Sequence, residues 1–187
     1  LADVVRTISR MLPEDGIVTN GAGNYAAFVH RYFEYKGYRT QVAPTSGSMG
    51  YGLPAAVAAK LAYPTRPVVN IQGDGCFLMT SQEFATAVQY ALPIVTIVAN
   101  NSIYGTIRMH QEREYPGRVI GTTLVNPDFA AFARSFGGEG FTVEDGKDFA
   151  PAFRAALECG APSIIELKLD PEALSPRKTL AEVRAGS

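Results

Sequence analysis

Two runs, PVVNIQ at 67–72 and IVTIVA at 94–99, are apolar almost throughout, lie at or directly after a proline, and have the length of one strand rather than one helix. A strand wetted on one face alternates polar and apolar residues. One that is apolar at nearly every position is covered on both faces, as central strands of a parallel sheet are. Pro67, Pro93 and Pro162 all stand at strand starts, where a missing N–H harms a ladder least. The spacing predicts further strands near 16–20, 40–43, 140–143 and 163–168. Helical periodicity fills the gaps near 2–12, 23–34, 51–62, 81–91, 127–136, 148–159 and 178–184. Strands alternating with helices need right-handed crossovers, so the expected architecture is a three-layer α/β/α domain around a parallel sheet of about six strands.

The chain of 187 residues, 47% hydrophobic and 19% charged, is long enough to bury one core, and 1–187 reads as a single domain. Seventeen basic and eighteen acidic residues give a net charge of −1, and no Lys/Arg run stands out, which argues against nucleic acid and anionic membrane as partners. Every apolar run is interrupted well before the roughly 20 residues a membrane span needs. Cys76 and Cys159 match no C-x-x-C pattern and read as reduced thiols of a cytoplasmic protein. No signal peptide is visible, and the start at Leu1 suggests a piece of a longer protein. The polar, Pro-containing tail 170–187 reads as a packed arm with a loose end.

Gly21-Ala22-Gly23-Asn24-Tyr25-Ala26, after the strand GIVTN, fits the dinucleotide pattern G-x-G-x-x-A and raises the alternative of a nucleotide-binding oxidoreductase domain. The next strand, TQVAP, carries no acidic residue to hold a ribose hydroxyl. The other reading is a helix start capped by Asn24. Either way, backbone N–H groups at a helix start suit a phosphate.

Asp74 follows the strand PVVNIQ between Gly73 and Gly75, which lack Cβ atoms and so let a ligand approach the backbone. Thr80-Ser81-Gln82-Glu83 reads as a capping box opening the next helix. Asn100-Asn101 then ends the strand IVTIVA, and the 27 positions from Asp74 to Asn101 suit a turn, a helix and an adjacent parallel strand. Neighbouring strands lie about 4.8 Å apart, close enough for two short side chains to share one cation with oxygen ligands at about 2.1 Å. A carboxylate and an amide carbonyl form a sparse set, which suits Mg²⁺ completed by phosphate oxygens and water. The expected site is a Mg²⁺–diphosphate site at the carboxyl edge of the sheet.

GDG followed by NN at this spacing resembles the signature of thiamine diphosphate-dependent enzymes, and nearly the whole chain resembles the C-terminal diphosphate-binding domain of the acetolactate synthase and 2-oxo-acid decarboxylase type. The resemblance implies strand order 2-1-3-4-6-5 and a place at the C-terminal end of a longer multidomain enzyme. It implies that SGSMGYGLPAAVAAK grips the aminopyrimidine: the Gly47 carbonyl accepts from the 4′-amino group, Ser48 stands beside it, and Met49 holds the cofactor bent. Asn24, Tyr25, Gly73, Gly75, Cys76, Tyr104, Gly105 and Thr106 fall where the family holds the diphosphate. The Ile103 carbonyl joins Asp74 and Asn101 on the metal. The bent cofactor activates its own thiazolium carbon for attack on a 2-oxo acid, which then loses CO₂. The glutamate assisting this step belongs to a pyrimidine-binding domain absent from the sequence, so the chain is expected to be half of an active site, completed by a second subunit in a homodimer or homotetramer. FAD, where such enzymes carry it, sits in another domain.

Acetolactate synthases carry a tryptophan after NN where this chain has His110, and the chain has no Trp. His110 is open to two readings, a substrate-facing acid or base and a surface helix residue. Met49 could equally be plain core, and His30 in YAAFVHRYF reads as packing or surface. A non-catalytic regulatory domain of the same fold is the other alternative; intact Asp74 and Asn101 argue against it.

Overall fold

The computed structural model describes residues 1–186. Its strands are β1 (Ile17–Asn20), β2 (Gln41–Val42), β3 (Val68–Gly73), β4 (Ile94–Asn100), β5 (Glu139–Val143) and β6 (Ser163–Lys168), all paired in parallel in the order β2-β1-β3-β4-β6-β5. The two continuously apolar runs are the centre of the sheet: β3 pairs with β4 from Val68↔Ile94 to Gly73↔Ala99, and every residue of β4 is buried. Asn70 and Thr96, inside these runs, bond across the strands with each other and with Thr19 of β1. Thr19, Asn70 and Thr96 share one register row; the Thr19 hydroxyl approaches Asn70 Oδ1 at 3.2 Å, and Asn70 Nδ2 approaches Thr96 Oγ1 at 3.4 Å.

The helices, in chain order, are α1 (Ala2–Met11), α2 (Asn24–Tyr32), α3 (Gly52–Ala62), α4 (Asp74–Leu78), α5 (Glu83–Gln89), α6 (Gly105–Glu114), α7 (Phe129–Ser135), α8 (Phe149–Glu158) and α9 (Leu180–Arg184), with a short 3₁₀ turn at Gly146–Asp148 before α8. One face of the sheet is covered by α1, α2 and α8, whose Ile8, Phe28 and Phe153 pack with Val69, Ile97 and Ile165. The other is covered by α3, α5 and α7, whose Leu53, Phe84 and Phe129 pack with Val68, Ile94 and Ile164. Together these make the expected three layers.

Two helices escape the periodicity. α4 occupies what the sequence presents as a turn: five residues are too few to display a period, and Cys76 and Phe77 tie it to the cores on the two faces of the sheet. α6 has no apolar stripe, and the buried residue on it is a carboxylate, Glu112. The expected helix over 81–91 is trimmed to Glu83–Gln89, because Ala91 turns in the left-handed region at φ 47°. The capping box expected at Thr80 and Glu83 does not form: the Thr80 hydroxyl donates to the Gly50 carbonyl at 2.7 Å, and α5 starts after Gln82. A capping box does open α9, where Thr179 and Glu182 exchange hydrogen bonds. The tail is packed as far as α9, with Leu174, Leu180 and Val183 against Met109 of α6. Ser187, the end of the expected arm, lies outside the described residues. Among the described residues, no helix is long and apolar enough to cross a membrane.

Candidate cofactor site

Asp74 leaves the carboxyl end of β3 as the first residue of α4 and is 2% exposed. The glycines beside it leave room for aromatic rings as well as lining the cavity. A Cβ on Gly73 would lie 2.9 Å from the Tyr25 ring, and one on Gly75 would lie 2.5 Å from the Tyr104 ring. The two tyrosines thus close on the backbone from either side. Asp74 Oδ1 accepts the Gly75 N–H at 2.9 Å; Oδ2 accepts the Ser102 N–H at 2.8 Å and the Asn126 amide at 2.7 Å. Burial pushes the carboxyl above its ordinary range, and these donors, by favouring the anion, oppose that rise. Tyr25, whose hydroxyl lies 3.2 Å from the Cys76 sulfur, is likewise pushed well up by burial.

Asn101 follows β4, and Ser102, at φ 57°, turns the chain so that the Ile103 N–H reaches Asn101 Oδ1 at 3.3 Å. Asp74, Asn101 and Ile103 line one cavity of about 600 Å³, a volume that includes its open mouth. Asn24, Tyr25, Met49, Gly73, Gly75, Cys76, Tyr104, Gly105 and Thr106 line it too, with Leu1, Phe28, Leu169 and Leu174 among its apolar walls. Gly47 and Ser48 lie outside this lining. Gly47 adopts φ 69° in open space, and Ser48 pairs with Ser46 and borders a neighbouring groove that shares Met49 with the cavity. His110 is also outside: it is exposed, and its Nδ1 lies 2.8 Å from Arg113 Nη2. His30 is exposed beside Gln41.

Asn24 does not cap its helix. Gly23, at φ 153°, is the N-cap of α2, and Asn24 instead binds Thr106 twice: its N–H donates to the Thr106 hydroxyl at 3.1 Å, and that hydroxyl donates to Asn24 Oδ1 at 3.0 Å. This pair ties the start of α2 to the start of α6. The start of α4 opens on the same cavity, and among the described residues none of the three helices has a side-chain cap hydrogen bond. The N–H groups of Asn24 and Gly75 are already donated, to Thr106 and Asp74, but helix starts carry partial positive charge and further N–H groups, so their convergence favours an anion of several oxygens.

Asn126 is the site residue that the sequence reading missed. It lies 52 residues beyond Asp74, in the loop before α7, and its only local cue is the Asn-Pro-Asp that leads into the Asp128 cap.

The family described as thiamine pyrophosphate enzyme, C-terminal TPP binding domain, matches residues 21–167. The chain belongs to this family. As a TPP-binding C-terminal domain it is 36% identical over 161 residues to the acetolactate synthase large subunit of Parasynechococcus marenigrum, covering 84% of this chain and 26% of that protein. It is 32% identical over 156 residues to the sulfoacetaldehyde acetyltransferase of Castellaniella defragrans, covering 83% of this chain and 26% of the relative. Among solved structures it is similar to the thiamine diphosphate-dependent 4-hydroxybenzoylformate decarboxylase of Rhodococcus jostii RHA1, with TM-score 0.84, 31% identity, and coverage of 90% of this chain and 32% of that one. The chain therefore spans about a quarter to a third of the length of the proteins it matches. The TPP-binding domain is of the acetolactate synthase-like and decarboxylase kind, and the dinucleotide and regulatory alternatives gain nothing from these likenesses.

Proposed function

We propose that the TPP-binding domain holds thiamine diphosphate through Mg²⁺, with Asp74, Asn101 and the Ile103 carbonyl as the protein's ligands. The observation that carries this reading is the convergence of an ionisable carboxylate, an amide oxygen and the starts of α2, α4 and α6 on one cavity wall. The donor set fits the group. One carboxylate and two neutral oxygens suit a hard cation that completes its shell with phosphate and water, and the helix-start N–H groups suit the remaining phosphate oxygens. Space fits as well: a Cβ on Gly105 would meet only Leu174 at 3.5 Å and Asn101 at 3.6 Å, so this part of the wall is open.

When bound, thiamine diphosphate supplies the electron-accepting centre that lets a 2-oxo acid lose CO₂. The chain's own residues bind and orient. Asp74 anchors the cation, Met49 stands where the cavity meets the neighbouring groove, and Phe28, Leu169 and Leu174 exclude water from one side. Gly47, Ser48 and Met49, on the groove side, form the edge that a pyrimidine-binding domain would meet. We infer that such a domain from a second subunit completes the site, in a homodimer or homotetramer acting on a small 2-oxo acid. The activities by which the relatives are named, a synthase, an acetyltransferase and a decarboxylase, support the general class of lyase and transferase chemistry.

Thermal unfolding tests the reading. Mg²⁺ and thiamine diphosphate together are expected to raise Tm where neither does alone, by a stabilisation of about 2.7 kcal/mol at a hundredfold excess over Kd. Asp74→Asn is expected to abolish the shift. Equal stabilisation without a cation, or an unchanged shift in Asp74→Asn, would overturn it.

A further inference from the structure

Asp74 is restrained in a way that its role as a ligand does not require. A carboxylate offers about four lone-pair sites. Both sites on Oδ2 are filled, by the Ser102 N–H at 2.8 Å and Asn126 Nδ2 at 2.7 Å, and one on Oδ1 by the Gly75 N–H at 2.9 Å. With Asp74's own N–H also directed at the carboxyl, the acceptor capacity left is on Oδ1, so Asp74 can meet a cation through a single oxygen.

The restraint is directional. Asn126 Nδ2 also donates to Asn100 Oδ1 at 2.8 Å, while Asn126 Oδ1 is buried with no hydrogen-bond partner among the described residues. The residue is therefore held by its NH₂ group alone. Its orientation is dictated from the far side: Asn100 Nδ2 donates to Glu166 Oε1 at 2.6 Å, and Lys168 Nζ donates to the same oxygen at 2.6 Å. Glu166 accepts from the Asn100 NH₂ while the Ser102 N–H and hydroxyl donate to Asn100 Oδ1 at 3.2 and 3.3 Å, which together turn that oxygen toward Asn126, and the oxygen turns the Asn126 NH₂ toward Asp74. Reversing either amide would set oxygen against oxygen in a buried site. The relay crosses β6, β4 and the loop before α7 to reach the end of β3.

We propose that Asn126 is a positioning residue that sets the metal preference of the site by confining Asp74 to one-oxygen coordination. Mg²⁺ demands a small octahedral shell and is served by single carboxylate oxygens, whereas Ca²⁺ accepts more ligands and readily takes a carboxylate through both oxygens. Holding Oδ2 away from the cation withholds the mode that favours Ca²⁺. This rests on the Mg²⁺–thiamine diphosphate reading above.

The test is calorimetric titration of thiamine diphosphate into the protein over a range of Mg²⁺ or Ca²⁺ concentrations, with wild type, Asn126→Ala and the milder Asn126→Ser. The quantity read is the ratio of the cation concentrations giving half-maximal cofactor binding. The wild type is expected to prefer Mg²⁺, and the variants to lose about fivefold of that preference, the scale of one hydrogen bond's net contribution. A merely loosened fold would weaken both cations alike and leave the ratio unmoved. An unchanged ratio in whichever variant folds, or a wild type indifferent to the ion, overturns this inference alone; cation-independent binding by the wild type overturns the functional reading and this inference with it.

Discussion

Arg184 of α9 grips the Glu112 carboxylate of α6 with two hydrogen bonds, Nε to Oε2 at 3.0 Å and Nη2 to Oε1 at 2.8 Å, although Glu112 is only 1% exposed. The Gly117 N–H adds a third donor at 2.9 Å. The Arg184 side chain foremost, then that N–H, hold the carboxyl down from its ordinary 4.5 to about 2. A depressed folded-state pKa means that the stabilisation is fully present above pH 4.5 and is lost as the pH falls toward 2. Acid titration of Tm is expected to show this loss in the wild type and a flatter curve over the same window in Glu112→Gln. Arg184→Ala is expected to destabilise by about 1–3 kcal/mol, since it strands a buried acceptor.

Phe77 is fully buried and meets Phe129 and Phe132 edge-on, with centroids at 5.5 and 5.8 Å. It is the largest buried side chain of α4. Phe77→Ala is expected to cost about 3–5 kcal/mol in urea unfolding. Phe77→Leu, which keeps most of the volume, is expected to cost less than about 1.5 kcal/mol.

Gly75 and Gly105 line the same cavity but should respond unequally to a methyl group. In Gly75→Ala the new Cβ would lie 2.5 Å from the Tyr104 ring, an overpacking expected to destabilise by about 1–3 kcal/mol. In Gly105→Ala the nearest neighbours are at 3.5 and 3.6 Å, and unfolding is expected to change by less than about 1 kcal/mol. Combining Gly75→Ala with Tyr104→Ala should recover part of the loss if the ring is the obstacle, which a double-mutant cycle in urea measures.

His110 is exposed and lies outside the cavity lining. His110→Ala is expected to alter stability by no more than about 0.5 kcal/mol and to leave cation-dependent thiamine diphosphate binding unchanged. Calorimetry on the variant checks both its fold and its affinity; a clear loss of affinity would place His110 in the site after all.

The sheet was legible because each central strand announces itself twice, by an unbroken apolar run and by a proline at its start. The union of Asp74 and Asn101 on one cavity was legible because spacing along adjacent parallel strands fixes which edge each residue leaves from. The glycines were visible, but their reason was not: only coordinates reveal that Tyr25 and Tyr104 need the room. Thr80 followed by Glu83 looks like a cap in sequence, yet a nearby carbonyl, that of Gly50, competes for the hydroxyl and wins. Asn126 was invisible for a related reason. Its partners Asp74 and Asn100 lie just past the end of β3 and at the end of β4, and nothing in a linear pattern records how the loop before α7 reaches them.

Leu174, from the C-terminal arm, lies in the cavity wall with Ala173 and Leu169, beside the helix starts. Two parts of the chain that share one boundary are thermodynamically linked: whatever occupies the hollow and presses on that leucine changes how firmly the arm is seated, and seating the arm changes the occupant's affinity by the same factor. A clip near the C terminus, far from any ligand atom, would therefore be felt as a change in grip.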